Sequence, residues 1–397
     1  MRPAATPIDG VSNLLWLLLP VAAAGGWFAA RRSDEHRHAA LWNYSRHFHA
    51  GLGALLDERR DRVDDVFADV SGGDRDAADT HLALGRLFRR RGEMDRALRL
   101  HGSLLARPEL GERIHADARF ELACDYESAG LLDRAESEFR QVLTTGYRRE
   151  DTYERLLRLH ERERNWEQAI AMAIEAAAAD GQARDSLVAH YHCELAVEAC
   201  QAADTARART LLGEALARSP RCVRASMMLG DLALDAKDVA EAVRCYAEVE
   251  TQRPEFGPII VERRVDALRA HADPSLLRDW LDRVRGQRNA YSVIRVARSV
   301  IEELDGADAA EQFFKRQILA RPSLRGLRDW AQDQLRVSRP EEREKVQVIC
   351  AMLDGVVEER PNYICFDCGF RGDTLHWRCP SCGHWDAVKL VIGVEGE

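Results

Sequence analysis

Apolar positions follow three different patterns along this chain. From Gly10 to Ala30 no residue is charged and most are apolar, in the run GVSNLLWLLLPVAAAGGWFAA. At about 1.5 Å per helical residue the run spans about 31 Å, close to the hydrocarbon thickness of a bilayer. Pro20 and the pair Gly25 and Gly26 would weaken a soluble helix but are common in spanning ones, and Trp16 and Trp27 suit the interfacial zones. A signal peptidase could cut after Ala24. The apolar run continues past that point, however, and Arg31 and Arg32 follow it as the positive flank of a cytoplasmic end. The pattern therefore predicts an uncleaved single-pass anchor in residues 1–32, a juxtamembrane linker in 33–44, and the bulk of the chain in the cytoplasm.

Residues 45–358 carry a helical period in pairs. The unit THLALGRLFRRRGEMDRALRLHGSLLARPEL places Leu84, Gly85 and Phe88 on one helix, Ala97 and His101 on the next, and Pro108 at its end. Leu122, Ala123, Tyr126, Ala135 and Phe139 repeat the pattern, as do Leu229, Gly230, Ala242, Tyr246 and Pro254. Small residues let two helices approach while the aromatic fills the gap, which is the packing logic of tetratricopeptide-type repeats. The marked positions recur from Gly51 to Gly85 after 34 residues, then at Ala123 after 38, Leu157 after 34, Ala196 after 39 and Gly230 after 34. A degenerate unit follows around Val265–Val284, Ala310, Phe314 and Pro322 recover the pattern, and a last helix pair covers Ser323–Val357. The expectation is an all-α array, a right-handed superhelix whose first helices form a concave wall suited to another polypeptide. Such a repeat identifies a binding scaffold and leaves its ligand open.

The third pattern, in residues 359–397, is set by cysteine. Cys365, Cys368, Cys379 and Cys382 form two C-x-x-C pairs, each followed by glycine, in CFDCG and CPSCG. Two thiolates three residues apart on a tight turn bind one metal ion, and two such turns close a tetrahedral site with no place for a catalytic water. A thioredoxin-like pair would need a βαβ context that is absent. Zinc is preferred to iron because nothing nearby suggests an electron partner, although the four-sulfur set accepts either. His376 and His384 read as surface or packing histidines, and Phe366, Trp377 and Trp385 are expected to pack the module against the last helices.

Composition narrows the rest. A net charge of −9 supplies no field that would gather nucleic acid. Cys124, Cys193, Cys200, Cys222, Cys245 and Cys350 are scattered through helical text and read as small buried hydrophobes in a reducing compartment. His36, His38, His47 and His49 lack a chelating helical spacing. Arg86, Arg89 and Arg90 share one helix face, either solvated or facing an acidic partner. No phosphate loop, nucleophile elbow or H-E-x-x-H motif is present, so the chain reads as a binding protein and not an enzyme.

Anchor, repeats and terminal cysteine module, in that order, resemble the lipopolysaccharide assembly protein B family of Gram-negative bacteria. The resemblance covers nearly the whole chain and rests most on LLLPVAAAGGWFAARRS, LGRLFRRRGEMDRALRLH, AGLLDRAE, HYHCELA and CGFRGDTLHWRCPSCGHW. It implies an inner-membrane adaptor with cytoplasmic repeats and a rubredoxin-like metal domain, with Cys365, Cys368, Cys379 and Cys382 as ligands. Its implied partners are the membrane AAA protease FtsH, the deacetylase that commits to lipid A synthesis, and other lipopolysaccharide assembly proteins. The adaptor would promote degradation of the deacetylase, with Arg86, Arg89 and Arg90 as partner contacts. A scaffold that gathers lipopolysaccharide enzymes without controlling proteolysis is the alternative, with an iron-loaded electron carrier behind it. Self-association stays open. The extra N-terminal residues MRPAATPIDGVSN and the weak sixth and eighth repeats depart from the family pattern.

Overall fold

The computed structural model describes residues 75–394 and Gly396. The apolar run, the linker, the first repeat around Gly51 and His36, His38, His47 and His49 lie outside the described residues. Among the described residues no helix is long and apolar enough to cross a membrane.

The helices come in consecutive pairs: α1 (Arg75–Arg90) with α2 (Met94–Leu105), α3 (Gly111–Ser128) with α4 (Leu132–Thr145), and α5 (Arg149–Glu163) with α6 (Trp166–Asp180). Next are α7 (Asp185–Gln201) with α8 (Thr205–Arg218), α9 (Val223–Asp235) with α10 (Val239–Gln252), and α11 (Gly257–Ala270) with α12 (Ser275–Arg285). The series closes with α13 (Tyr291–Asp305) and α14 (Ala307–Ala320), then α15 (Leu324–Val337) and α16 (Pro340–Glu358). The chain falls into two compact units, one reaching to Arg155 and one starting at Leu156.

The turn inside each pair explains the repeat register. Gly92, Gly130, Arg164, Ala203 and Lys237 all take positive φ, and each lies seven residues after Gly85, Ala123, Leu157, Ala196 or Gly230 in turn. The insertions that stretch some repeats therefore lie elsewhere. After three of these turns a short polar side chain caps the second helix: Asn165, Asp204 and Asp238 accept from the backbone N–H groups of Gln168, Arg207 and Glu241. Such caps satisfy donors that the first helical turn leaves free.

Packing inside a pair follows the small-against-large rule. A Cβ on Gly85 would lie 2.2 Å from the His101 ring, and one on Gly230 would lie 2.6 Å from the Tyr246 ring. His101, Phe139 and Tyr246 occupy the equivalent place in three repeats and are all fully buried. The sixth pair lacks the motif yet still packs, because Trp280, Leu281 and Val284 of α12 join Tyr291, Ile294 and Phe313 in one core. In the last pair Leu327, Val348, Ile349 and Met352 stay exposed.

Beyond α16 the all-α expectation gives way to a small antiparallel sheet of β1 (Tyr363–Cys365), β2 (Arg371–Gly372) and β3 (Val388–Leu390), in the order β2-β1-β3. Tyr363 faces both Gly372 and Leu390, and Cys365 faces Val388.

Candidate metal centre

Two turns of the same construction carry the cysteines. Gly369 donates to the Cys365 carbonyl and Gly383 to the Cys379 carbonyl, each at 2.9 Å, while Cys365 N–H and Cys379 N–H donate to Phe370 and His384 carbonyls at 2.8 Å. Gly369 and Gly383 hold φ of +75° and +77°, a region costly for any residue with a Cβ. Between the turns Arg378 bridges to Trp385, and β1 pairs with β3, so the turns face each other.

All four sulfurs lie within 4.8 Å of one another. Cys365 and Cys382 sulfurs are 3.8 Å apart, and those of Cys368 and Cys379 are 3.6 Å apart. A tetrahedron with metal–sulfur bonds of about 2.3 Å has edges of about 3.8 Å, so the donor set fits one ion. The electrostatics agree. The Phe370 backbone N–H directed at Cys368, with help from neighbouring thiols, brings that group down to about 6. His384 N–H favours the Cys382 thiolate too, but burial and the other three sulfurs push that group up to about 12. Four crowded sulfurs shed all their protons together only when a cation lies among them. Cys365 and Cys379 are buried and Cys368 is exposed. His384 pairs with Asp367 at 2.8 Å and His376 with Thr374 at 3.1 Å, outside the four-sulfur set.

The module is not seated where its aromatics predicted. Phe366 is 69% exposed, with the Lys389 ammonium over its ring. Trp377 and Trp385 reach the middle repeats instead of the last helices, because the recess that fits them is lined by α5, Trp166 at the start of α6, α7, α9 and the short turn before α11. Trp385 donates its indole N–H to Glu161 at 2.7 Å, and the same carboxylate accepts from Arg378 and from the Tyr191 hydroxyl, each at 2.7 Å. Glu161 is 7% exposed, so its charge depends on these three donors. Burial, then the charge of Glu161, holds the Tyr191 phenol well above its usual range. His190 stacks on Trp385 with centroids 5.3 Å apart and also meets Trp377. Burial, reinforced by Arg224 and Arg253, drives His190 down to about 3, so it is neutral.

Trp377 lies flat on Phe256, with an interplanar angle of 2°, and beneath the Arg224 guanidinium. Arg253 pairs with Asp386 at 2.5 Å and with Glu255 at 2.9 Å, and these carboxylates raise it despite burial. The module meets α15 from both ends: Val394, past β3, accepts from Leu324 N–H, and Asn362, just before β1, pairs with Arg325.

In the first unit Arg86 and Arg89 of α1 find partners within the chain. Arg89 meets Glu121 and Asp125, each at 2.7 Å, and Arg86 meets Glu121 at 2.8 Å. Burial opposes the Glu121 charge, yet Arg89 and Arg86 still hold it below the usual carboxylate range. Asp125 in turn meets His101 at 2.5 Å, both fully buried. Arg90 is exposed.

Sequence reasoning missed Glu161, Arg224 and Arg253 altogether. His190 lies inside HYHCELA, a stretch whose specificity does mark it, whereas Glu161 is one of three glutamates in LHERERNWEQ and nothing local sets it apart.

Comparison with known proteins follows the same division. A tetratricopeptide repeat profile matches residues 193–255, and a profile described as rubredoxin metal binding domain matches residues 363–389. Lipopolysaccharide assembly protein B of Escherichia coli strain K12 is 32% identical over 388 residues, which are 97% of this chain and 99% of that protein. The protein of the same name from Haemophilus influenzae is 29% identical over 397 residues, covering 96% of this chain and 99% of its own. Among solved structures, MamA from Desulfovibrio magneticus RS-1 is 15% identical, with 45% of this chain and 95% of that chain covered and a TM-score of 0.28, a likeness too low to carry an argument.

Proposed function

The chain belongs to the lipopolysaccharide assembly protein B family, and from that membership we propose that it is a non-enzymatic, inner-membrane adaptor that restrains lipopolysaccharide synthesis. It presents the deacetylase committing to lipid A to the membrane protease FtsH. Tethering is the whole of the mechanism: two proteins held at one membrane surface meet at a raised effective concentration, with no chemical step by the adaptor. The apolar run at Gly10–Ala30 would engage the bilayer and the protease, and the repeats would hold the client. Client contacts on α1 would fall to exposed Arg90 and to the outer edge of Arg86, since Arg89 is engaged by Glu121 and Asp125.

The observation that carries the reading is the seat of the cysteine module. Through Glu161, His190 and Arg224 it leans on the first helices of three successive repeats, the side suited to a partner, and through Phe256 on the turn before the next. One zinc ion, when bound, supplies charge neutralisation and a fixed tetrahedral junction. The chain's own residues do the rest: Arg378 and Trp385 anchor the module on Glu161, and Trp377 wedges it against Phe256. The client surface would then be complete only while the module is folded.

The deciding experiment measures the deacetylase half-life in cells depleted of this protein and restored with wild type or with all four terminal cysteines changed to Ser. Lengthening on depletion, reversed by wild type alone, supports the adaptor with its metal module. An unchanged half-life in every strain would leave an assembly scaffold as the better reading.

A further inference from the structure

The Cys193 and Cys222 sulfurs lie 3.9 Å apart, outside the terminal four-sulfur set, in a core built by α7, α8 and the start of α9. Neither is needed by the metal centre. As small buried hydrophobes they would have no reason to meet. Their positions are also unequal. Cys193 is fully buried in mid-helix, whereas Cys222 stands at the N-cap of α9 beside the exposed residues Pro220 and Arg221. The two thiols share one hydrogen bond in which either sulfur can donate, while the Ala225 backbone N–H and the Arg224 guanidinium, opposed by burial and by Asp386, favour negative charge at Cys222. A nucleophilic sulfur thus sits near the surface with a resolving thiol behind it.

We propose that Cys193 and Cys222 form a redox modification site, a dithiol that a small peroxide converts to a disulfide, and that its closure shifts the seat of the cysteine module. The Cys222 thiolate attacks one oxygen of hydrogen peroxide, the O–O bond breaks, hydroxide leaves, and Cys222 becomes a sulfenic acid. Cys193 then attacks that sulfur, its proton joins the departing hydroxide as water, and the S–S bond forms. Overall two thiols lose two electrons and two protons, and one peroxide becomes two waters. The sulfurs must close from 3.9 Å to about 2.05 Å. Cys193 shares a helix face with His190, three residues before it and stacked on Trp385, and Cys222 is two residues from Arg224, which covers Trp377. Pulling the sulfurs together draws on both holds of the module. In a reducing compartment such a bond is transient and works as a sensor.

The test uses full-length, zinc-loaded protein treated with graded hydrogen peroxide, then alkylated and mapped by mass spectrometry, with zinc release followed in parallel. The expected result is a Cys193–Cys222 crosslinked peptide, reversed by dithiothreitol, at peroxide levels that leave zinc bound and the four terminal cysteines intact. In Cys193→Ala the resolving sulfur is gone, so Cys222 should be trapped by dimedone. Hydrogen exchange of residues 376–387 should rise on oxidation in wild type and stay constant in Cys222→Ala. Absence of the crosslink, no dimedone adduct in Cys193→Ala, or loss of zinc first would overturn the site. A crosslink with unchanged exchange would overturn its coupling to the module.

Discussion

Trp385 donates its indole N–H to Glu161 at 2.7 Å, a bond between residues 224 positions apart. It joins a cysteine module with a small core of its own to a helix that precedes five further helix pairs, and it does so at a carboxylate that three donors share.

Removing that carboxylate by Glu161→Ala leaves the buried Tyr191 hydroxyl and the partly buried Trp385 indole without their acceptor. Arg378 is partly solvated and adds less. The substitution should cost about 2–4 kcal/mol in urea unfolding of the second unit and speed alkylation of the terminal cysteines. Unchanged stability together with unchanged alkylation would show that the seat carries no energy.

Metal removal should act locally. Chelation or Cys365→Ser is expected to unfold the sheet and release Trp377 and Trp385, seen as a red-shifted tryptophan emission, while helical circular dichroism is largely kept. As purified, the protein should be colourless with one zinc per chain. A red protein with a reversible couple would identify iron and revive the electron-carrier alternative.

Two glycine-to-alanine substitutions should have opposite signs. Gly230→Ala puts a methyl 2.6 Å from the Tyr246 ring, an overpacking worth about 1–3 kcal/mol of destabilisation. Gly213→Ala in α8 meets nothing within 4 Å and should stabilise by about 0.4–1 kcal/mol through the unfolded chain. Parallel thermal melts of both variants check the difference.

His190 sets a pH dependence. Its folded value of about 3 lies below the ordinary histidine value, so in between the unfolded chain binds the extra proton. Stability is therefore full above about pH 6.5 and falls as pH drops toward 3, by at most about 1.4 kcal/mol per unit. Acid also releases metal, so the informative quantity is the difference from His190→Leu, whose profile should be flatter between pH 5 and 7. Parallel profiles would mean that His190 is solvated in solution.

The legible part of this protein is the part that repeats or chelates. Gly85, Ala123 and Gly230 stand out because close helix approach admits few side chains, and the four cysteines because coordination fixes their spacing. What stayed hidden is pairing at long range. Arg86 and Arg89 were visible as one helix face, but their partners Glu121 and Asp125 lie on the corresponding face of the next repeat, where only the repeat offset links them. The seat of the module was misplaced for the same reason. Trp377 and Trp385 announced burial, and sequence proximity suggested α15 and α16, yet the recess that accepts flat rings is made by Phe256, His190 and Tyr191. Glu161 offered no signal at all, since a buried acid is recognised only by the donors that fold brings to it.

The flat stacking of Trp377 on Phe256, together with the Glu161 junction, gives the second unit a property that a run of repeats lacks. Stacked helix pairs touch only their neighbours, so an array bends and melts like a spring, one rung at a time. A brace from the chain's end to the rungs between Glu161 and Phe256 closes that spring into a loop. Fraying any rung inside it must now strain the brace, and a short cysteine module stiffens the whole span.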